Sequence, residues 1–405
     1  VRPPTRLIPS PATTPGPGLR WAMLGASTLA QGAAAVTIHG PAFLIPTLRD
    51  AGLTLPQAGL VAAAPIIGVV LALVAWGLVT DRRGERFVLV TGLVLTALSG
   101  GVAMLAGSRG GPVALFVTLL VAGAAAASTG SASGRVVVGW FPSHRRGLAM
   151  GVRQMAQPVG VGVAAVSIAV TAERYGVAVA LGVPVTAAVL AALVVVLVVQ
   201  DPPRPSVRDG ATVANPYRQD SYLARIHGVS VLLVVPQFLV WTFALVWLVS
   251  DRGWSAAAAG SLVALAQLAG ALGRIAAGQL SDVVASRLRP LRWVAVAAGL
   301  TMGLLGWAAG QGAALAVPLV VIATVLTVAD NGLAFTAVAE RAGPHWSGRA
   351  LGAQNTAQYL TASAVPPLAG LAVDRIGYAA AFALAGLFPL VAVALVPVRE
   401  ERPLS

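Results

Sequence analysis

The sequence predicts an all-α integral membrane protein whose twelve transmembrane helices form two parallel, pseudo-symmetric six-helix bundles. Three observations carry that expectation. Of 405 residues, 57% are hydrophobic and 10% charged, and the mean hydropathy is +0.82. A water-soluble domain carries about 25% charged residues, so this chain could not clothe a surface facing water. About twelve runs approach the roughly 20 apolar residues that a bilayer-crossing helix needs. The third observation is an internal repeat with an offset of 201 residues.

In chain order, the expected spans are 21–48, 56–80, 86–107, 112–141, 147–172 and 176–199, then 226–250, 256–282, 291–310, 313–339, 348–372 and 377–397. Residues 1–20 are polar and contain Pro-Gly-Pro-Gly, which predicts a disordered tail with no signal peptide. A proline- and charge-rich linker is expected over 200–225 and a short tail over 398–405. The bundles are therefore 21–199 and 226–397.

All 27 basic residues are arginines, against 14 acids, for a formal charge of +13. With both termini inside, nineteen arginines fall in tails and inner loops and five, at 49, 109, 174, 252 and 375, in outer loops. That excess follows the positive-inside rule and predicts cytoplasmic termini in the cell (inner) membrane. It also accounts for the basic balance without nucleic acid. The absence of cysteine excludes disulfides, thiolate metal sites and cysteine nucleophiles. The histidines, at 39, 144, 227 and 345, lack ligand spacing, so neither metal nor cofactor is expected.

The repeat rests on separate anchors. Gly77 and Asp81 map to Gly278 and Asp282, Gly147 and Gly151 to Gly348 and Gly352, and Glu173-Arg174-Tyr-Gly176 to Asp374-Arg375-Ile-Gly377. Since six crossings return the chain to the same side, the halves share one orientation. Parallel repeats of this kind place a pathway along the pseudo-twofold axis.

The loop Gly77-x-x-x-Asp81-Arg82-x-Gly84-x-Arg86, with the repeat, resembles the major facilitator superfamily of secondary transporters over essentially the whole chain. Its second copy keeps Gly278 and Asp282 but has Val283 in place of the arginine, so gating is expected chiefly of the first. Asp81 at a helix end can accept hydrogen bonds from arginines such as Arg82 and Arg86, or from a neighbouring helix N-terminus. Gly77 permits close helix approach and Gly84 a tight turn. The other reading of this cluster is a topology signal alone. A narrower resemblance, to monocarboxylate, oxalate–formate and cyanate-type carriers, lies in Trp140-Phe-Pro through Gly151, in Pro158-Val-Gly160 and in Arg274-x-x-x-Gly278. It implies that Arg274 binds a substrate carboxylate. The chain departs from those carriers in having no lysine, and His39 stands where monocarboxylate carriers place one.

Ionised residues within a bilayer cost at least about 2.5–3.5 kcal/mol each on insertion scales, which makes them functional candidates. Arg274 could grip an oxyanion through paired hydrogen bonds, or serve as a helix anchor or internal ion pair. Asp330 is the acid that lies within a span, and it could carry a proton or act as a fixed counter-ion to Arg274, with Asn331 beside it expected to contact the substrate. His39, next to Pro41, could handle protons or simply pack. Arg153 and Gln154 map onto Gln354 and Asn355 by the 201 shift, which suggests that both pairs face a central cavity. Arg153 could equally gate or snorkel, and Arg135 reads as structural.

The expected function is alternating-access transport of a small organic anion by proton symport, with lipid as its surroundings and no obligate protein partner. Drug or metabolite efflux by proton antiport is the alternative. It usually brings an acid in helix one and Gly-Pro in helix five, whereas here helix one has no acid and Gln157 precedes Pro158. A membrane enzyme would need a metal-binding acidic pair or a His-acid dyad near one surface, and no span or loop offers one.

Overall fold

The computed structural model describes residues 15–109, 111–203 and 214–403. The expected tail over 1–14 and the middle of the expected linker, with Arg2, Arg6, Arg204 and Arg208, lie outside the described residues. Among the described residues every regular element is helical. The first half comprises α1 (Pro17–His39), α2 (Ile45–Asp50), α3 (Leu55–Arg83), α4 (Glu85–Arg109), α5 (Pro112–Ala126), α6 (Ser128–Trp140), α7 (Ser143–Gln154), α8 (Ala156–Ala180) and α9 (Gly182–Val198). The second comprises α10 (Tyr222–Ser250), α11 (Ala256–Val283), α12 (Leu288–Gly310), α13 (Ala316–Ala342), α14 (Ser347–Ala385) and α15 (Leu387–Leu395).

Ten helical stretches are long and apolar enough to cross a membrane. One of them, Ser347–Glu400, runs for 54 residues, more than twice the roughly 20 that a crossing needs. Gly377 breaks it with φ 77° and ψ 166°, and Gly176 breaks α8 with φ 82° and ψ 174°. Glycine adopts positive φ at little cost, so each residue turns the chain back into the bilayer. The two sites are related by the 201 shift, and with these turns each half crosses six times.

Two expectations need correction. The first span is not one helix. Pro41 cannot donate to the ladder, so α1 gives way to a tight turn over Gly40–Leu44 before α2 begins. Helix also starts earlier than the apolar runs suggest, at Pro17 and Tyr222, within the stretches expected as tail and linker. Leu24 and Val396 share one buried cluster with Phe141 and Tyr222, so both ends of the described chain lie at one face of the bundle.

Between helices surrounded by lipid, apolar burial gives little drive and close backbone packing matters more. A Cβ on Gly68 would lie 2.0 Å from the Leu120 carbonyl oxygen, and one on Gly123 would lie 2.1 Å from that of Pro65. The α3 and α5 backbones therefore touch, and Trp76 Nε1 donates to the Ala124 carbonyl at 2.7 Å. Gly68→Ala is expected to lower the melting temperature, overpacking costing about 1–3 kcal/mol. Gly101→Ala, where a Cβ meets nothing within 4 Å, is expected to raise it slightly. Equal shifts for the two would contradict this packing. The halves meet along two related seams, α3 against α14 and α7 against α11.

Candidate functional site

At the face holding both chain ends, two carboxylates lock the halves together. Asp81, at the end of α3, accepts the Gly348 N–H at 2.8 Å, the Arg349 N–H at 3.1 Å and Arg349 Nε at 2.8 Å. Asp282, at the end of α11, accepts the Gly147 and Leu148 N–H groups at 3.0 and 2.8 Å. Asp81 caps the first turn of α14, where unpaired N–H groups and the helix dipole favour negative charge, and Asp282 meets α7 just past its first turn, near the same positive end of the dipole. A Cβ on Gly77 would sit 2.4 Å from the Gly348 oxygen, and one on Gly278 would sit 2.1 Å from the Gly147 oxygen. Without glycine at these points the backbones could not close to capping distance.

The cations of this lock are not those that the loop motif suggests. Arg82 is exposed. Gly84, at φ 100°, ends α3 and reverses the chain, so the Arg86 backbone N–H donates to Asp201 at 2.7 Å and its guanidinium to the Val196 carbonyl at 2.7 Å, away from the other half. Arg349 and Arg135 stand beside Asp81 instead, and Arg135 also pairs with the buried Glu85. The second copy is a full counterpart despite Val283, which is exposed just as Arg82 is. Its cation is Arg287, which bonds Asp282 at 2.5 Å and Ser281 Oγ at 2.8 Å and lies 3.3 Å from Glu340.

Burial opposes the Arg287 charge, but Glu340 and Asp282 outweigh it and hold the guanidinium above its ordinary value. A raised value contributes stability below the unfolded-state value and loses it only as pH climbs through the folded one, here far above the working range. Arg287 therefore stays charged at all physiological pH. Arg287→Gln strands Asp282 and Glu340 without their cation and is expected to cost about 3–5 kcal/mol, read as a fall in melting temperature.

Deeper between the halves lies a chamber of about 40 Å³. Gln31, Gln154 and Gln157 line it from the first half; Gln237, Asn331, Asn355 and Gln358 line it from the second, with Phe238, Phe335 and Tyr359. Among the described residues no charged side chain lines it. Asn331 links two neighbours, donating to Gln237 Oε1 at 3.2 Å and accepting from Gln358 Nε2 at 3.0 Å.

The ionised residues sit behind this wall. Arg274 and Asp330, on neighbouring helices α11 and α13, are 2% and 1% exposed. Arg274 Nη1 crosses to the first half and donates to the Gln154 carbonyl at 2.6 Å, while its Nε has no hydrogen-bond partner. Neither carboxylate oxygen of Asp330 has a hydrogen-bond partner. Arg153 is fully engaged, with Ser133 Oγ at 2.8 Å, Gln154 Oε1 at 2.9 Å and the Phe335 ring 5.8 Å away. It orients the chamber wall rather than reaching into the chamber. His39 ends α1 with its Nε2 3.5 Å from Gln157 Nε2, and so touches the chamber through that side chain.

Of the pairs related by symmetry, Gln154 and Asn355 do line the chamber. Arg153 and Gln354 turn away, Gln354 to His227 and Ser230. Sequence reasoning missed Gln31 and Gln237, each a lone amide within an apolar run, and Gln157 and Gln358, which the 201 shift relates to each other. Isolation for the first two and repetition for the second two were the available signals, since polar side chains at membrane depth face the bundle interior.

A family model described as Major Facilitator Superfamily matches residues 26–366. The chain is 47% identical over 391 residues, 96% of its length and 87% of the relative's, to the uncharacterized MFS-type transporter Rv2994 of Mycobacterium tuberculosis (strain ATCC 25618 / H37Rv). Among solved structures it is similar to a variant of the E. coli fucose:proton symporter FucP, with TM-score 0.77 at 15% identity over 94% of this chain and 98% of that one. It is also similar to the proton:xylose symporter XylE bound to 6-bromo-6-deoxy-D-glucose, with TM-score 0.76 at 16% identity over 96% and 98%. The human organic anion transporter MFSD10 (TETRAN) matches with TM-score 0.72 at 17% identity over 94% and 100%. At such identities these structures establish the fold alone.

Proposed function

The chain belongs to the major facilitator superfamily of transporters, and on that premise we propose that it moves a small organic anion together with a proton by alternating access. In this reading the face with both chain ends is cytoplasmic, and the Asp81 and Asp282 caps hold it shut while the chamber exchanges with the outside.

The observation that carries the proposal is the split pair Arg274 and Asp330, buried together with Nε and both carboxylate oxygens unbonded. With Asp330 ionised the pair sums to zero, and the pull of Arg274 on an anion is at its weakest. A proton on Asp330 leaves the Arg274 charge uncompensated, and an arriving anion cancels it through the free guanidinium donor. Either event alone leaves a net charge at membrane depth, where charge is costly. Proton and anion therefore favour each other's binding by the same factor, as linkage requires. Because Arg274 grips the first half at Gln154, rearranging the pair also loosens a contact between the halves.

The test uses proteoliposomes loaded with a pH-sensitive dye and presented with a panel of mono- and dicarboxylates. Acidification of the lumen on adding a carboxylate, absent from protein-free vesicles, is the expected result. Carboxylates that move no protons, with alkalinisation by lipophilic cations instead, would replace the proposal with efflux by antiport.

A further inference from the structure

We infer that the transported anion has a polyhydroxylated body, as in a sugar acid or hydroxy acid, rather than an alkyl or aryl one. The inference rests on the anion reading above and adds what the chamber wall requires of the rest of the molecule. A carboxamide has a donor end and an acceptor end, and here the protein satisfies one and leaves the other. Gln31 Oε1 accepts from Ser133 at 3.3 Å, Gln154 Oε1 from Arg153 at 2.9 Å and Gln237 Oε1 from Asn331 at 3.2 Å. Their NH2 groups have no partner among the described residues. The opposite holds for Asn355, whose Nδ2 donates to the Leu351 carbonyl at 2.9 Å, and for Gln358, whose Nε2 donates to Asn331 at 3.0 Å. Their carbonyl oxygens remain open.

Arg153, which can only donate, fixes the Gln154 amide, and the Leu351 carbonyl, which can only accept, fixes that of Asn355. The chamber therefore offers an oriented donor on α7 and an oriented acceptor on α14, with the remaining amides bonded at one end between them. A hydroxyl group both donates and accepts, and a chain of hydroxyls can meet both sets at once. A methylene chain would displace water and leave these groups unmet, at about 1–3 kcal/mol for each one stranded. The faces of Phe238, Phe335 and Tyr359 suit the C–H edges of such a body. Because the wall carries no charge, the anionic end belongs at the Gln154 edge, behind which Arg274 waits.

The test compares gluconate, hexanoate and sorbitol as ligands of the purified protein, at equal ionic strength, by melting-temperature shift. Gluconate is expected to bind at least about tenfold more tightly than hexanoate, a factor worth about 1.4 kcal/mol. Gln237→Leu and Gln358→Leu should each erase that preference. Hexanoate binding as well as gluconate overturns the polyhydroxylated body and leaves the anion reading standing. Sorbitol binding as well as gluconate supports the body and removes the anion. No shift with any of the three overturns the inference, as would Leu variants that weaken both anions alike.

Discussion

Asp330→Asn is expected to abolish proton-driven accumulation while anion-for-anion exchange continues. Asparagine copies the protonated carboxyl in shape and charge, so Arg274 stays uncompensated in every cycle and the site binds anion whatever the pH. The proton then has no place to ride. Coupling free energies between linked sites run to about 1–3 kcal/mol, or 5–150-fold, and the variant should lose that whole factor between acid and neutral pH. The measurement is uptake of a labelled anion into proteoliposomes, with and without an inward proton gradient. If the gradient drives the variant as it drives the wild type, the proton travels elsewhere, and His39, 3.5 Å from Gln157, becomes the residue to replace.

Removing both caps, as Asp81→Ala with Asp282→Ala, is the second change with a large expected effect. Hydrogen bonds to a charged group contribute about 1.5–3 kcal/mol each, and the two carboxylates together accept four backbone N–H groups and Arg349 Nε. Even one such bond per cap amounts to a shift of more than about 100-fold toward the state open at this face. Because the chain has no cysteine, spin labels can be attached through Arg145→Cys and Arg289→Cys, exposed positions in opposite halves. The expected result is a longer and broader distance between them in the double variant. Each single variant should fall between, since the caps lie on separate seams. An unchanged distance would mean that the caps do not hold the face closed.

The fold was readable in the sequence because each crossing is signalled locally and the repeat is exact in its spacing. Gly176 and Gly377 appear as matching letters and prove to be matching backbone turns. The same regularity singled out Gly77, Asp81, Gly278 and Asp282, which the structure places where the halves touch. Their partners were less legible, because a loop motif does not say which way each side chain turns after Gly84. Arg82 and Arg86 face away from Asp81, Arg349 and Arg135 reach it from distant segments, and Arg287 meets Asp282 from five residues further along the same loop. The chamber was the hardest to read. Gln157 and Gln358 are related by the 201 shift and stand three residues after Gln154 and Asn355, a repeat that was there to be read, whereas Gln31 and Gln237 have no amide counterpart and only packing brings them in. Symmetry alone misplaced Arg153 and Gln354, which are held off the chamber by different partners, Ser133 for the first and His227 with Ser230 for the second.

The central claim is that a proton on Asp330 and an anion at Arg274 bind as a linked pair. Its most direct measurement is the number of protons taken up per anion bound, from calorimetric titrations in buffers of different ionisation enthalpy. The ligand is the carboxylate that most raises the melting temperature. The account predicts uptake close to one proton at neutral pH in the wild type and none in Asp330→Asn. Anion binding without proton uptake in the wild type, or undiminished uptake in the variant, would contradict it.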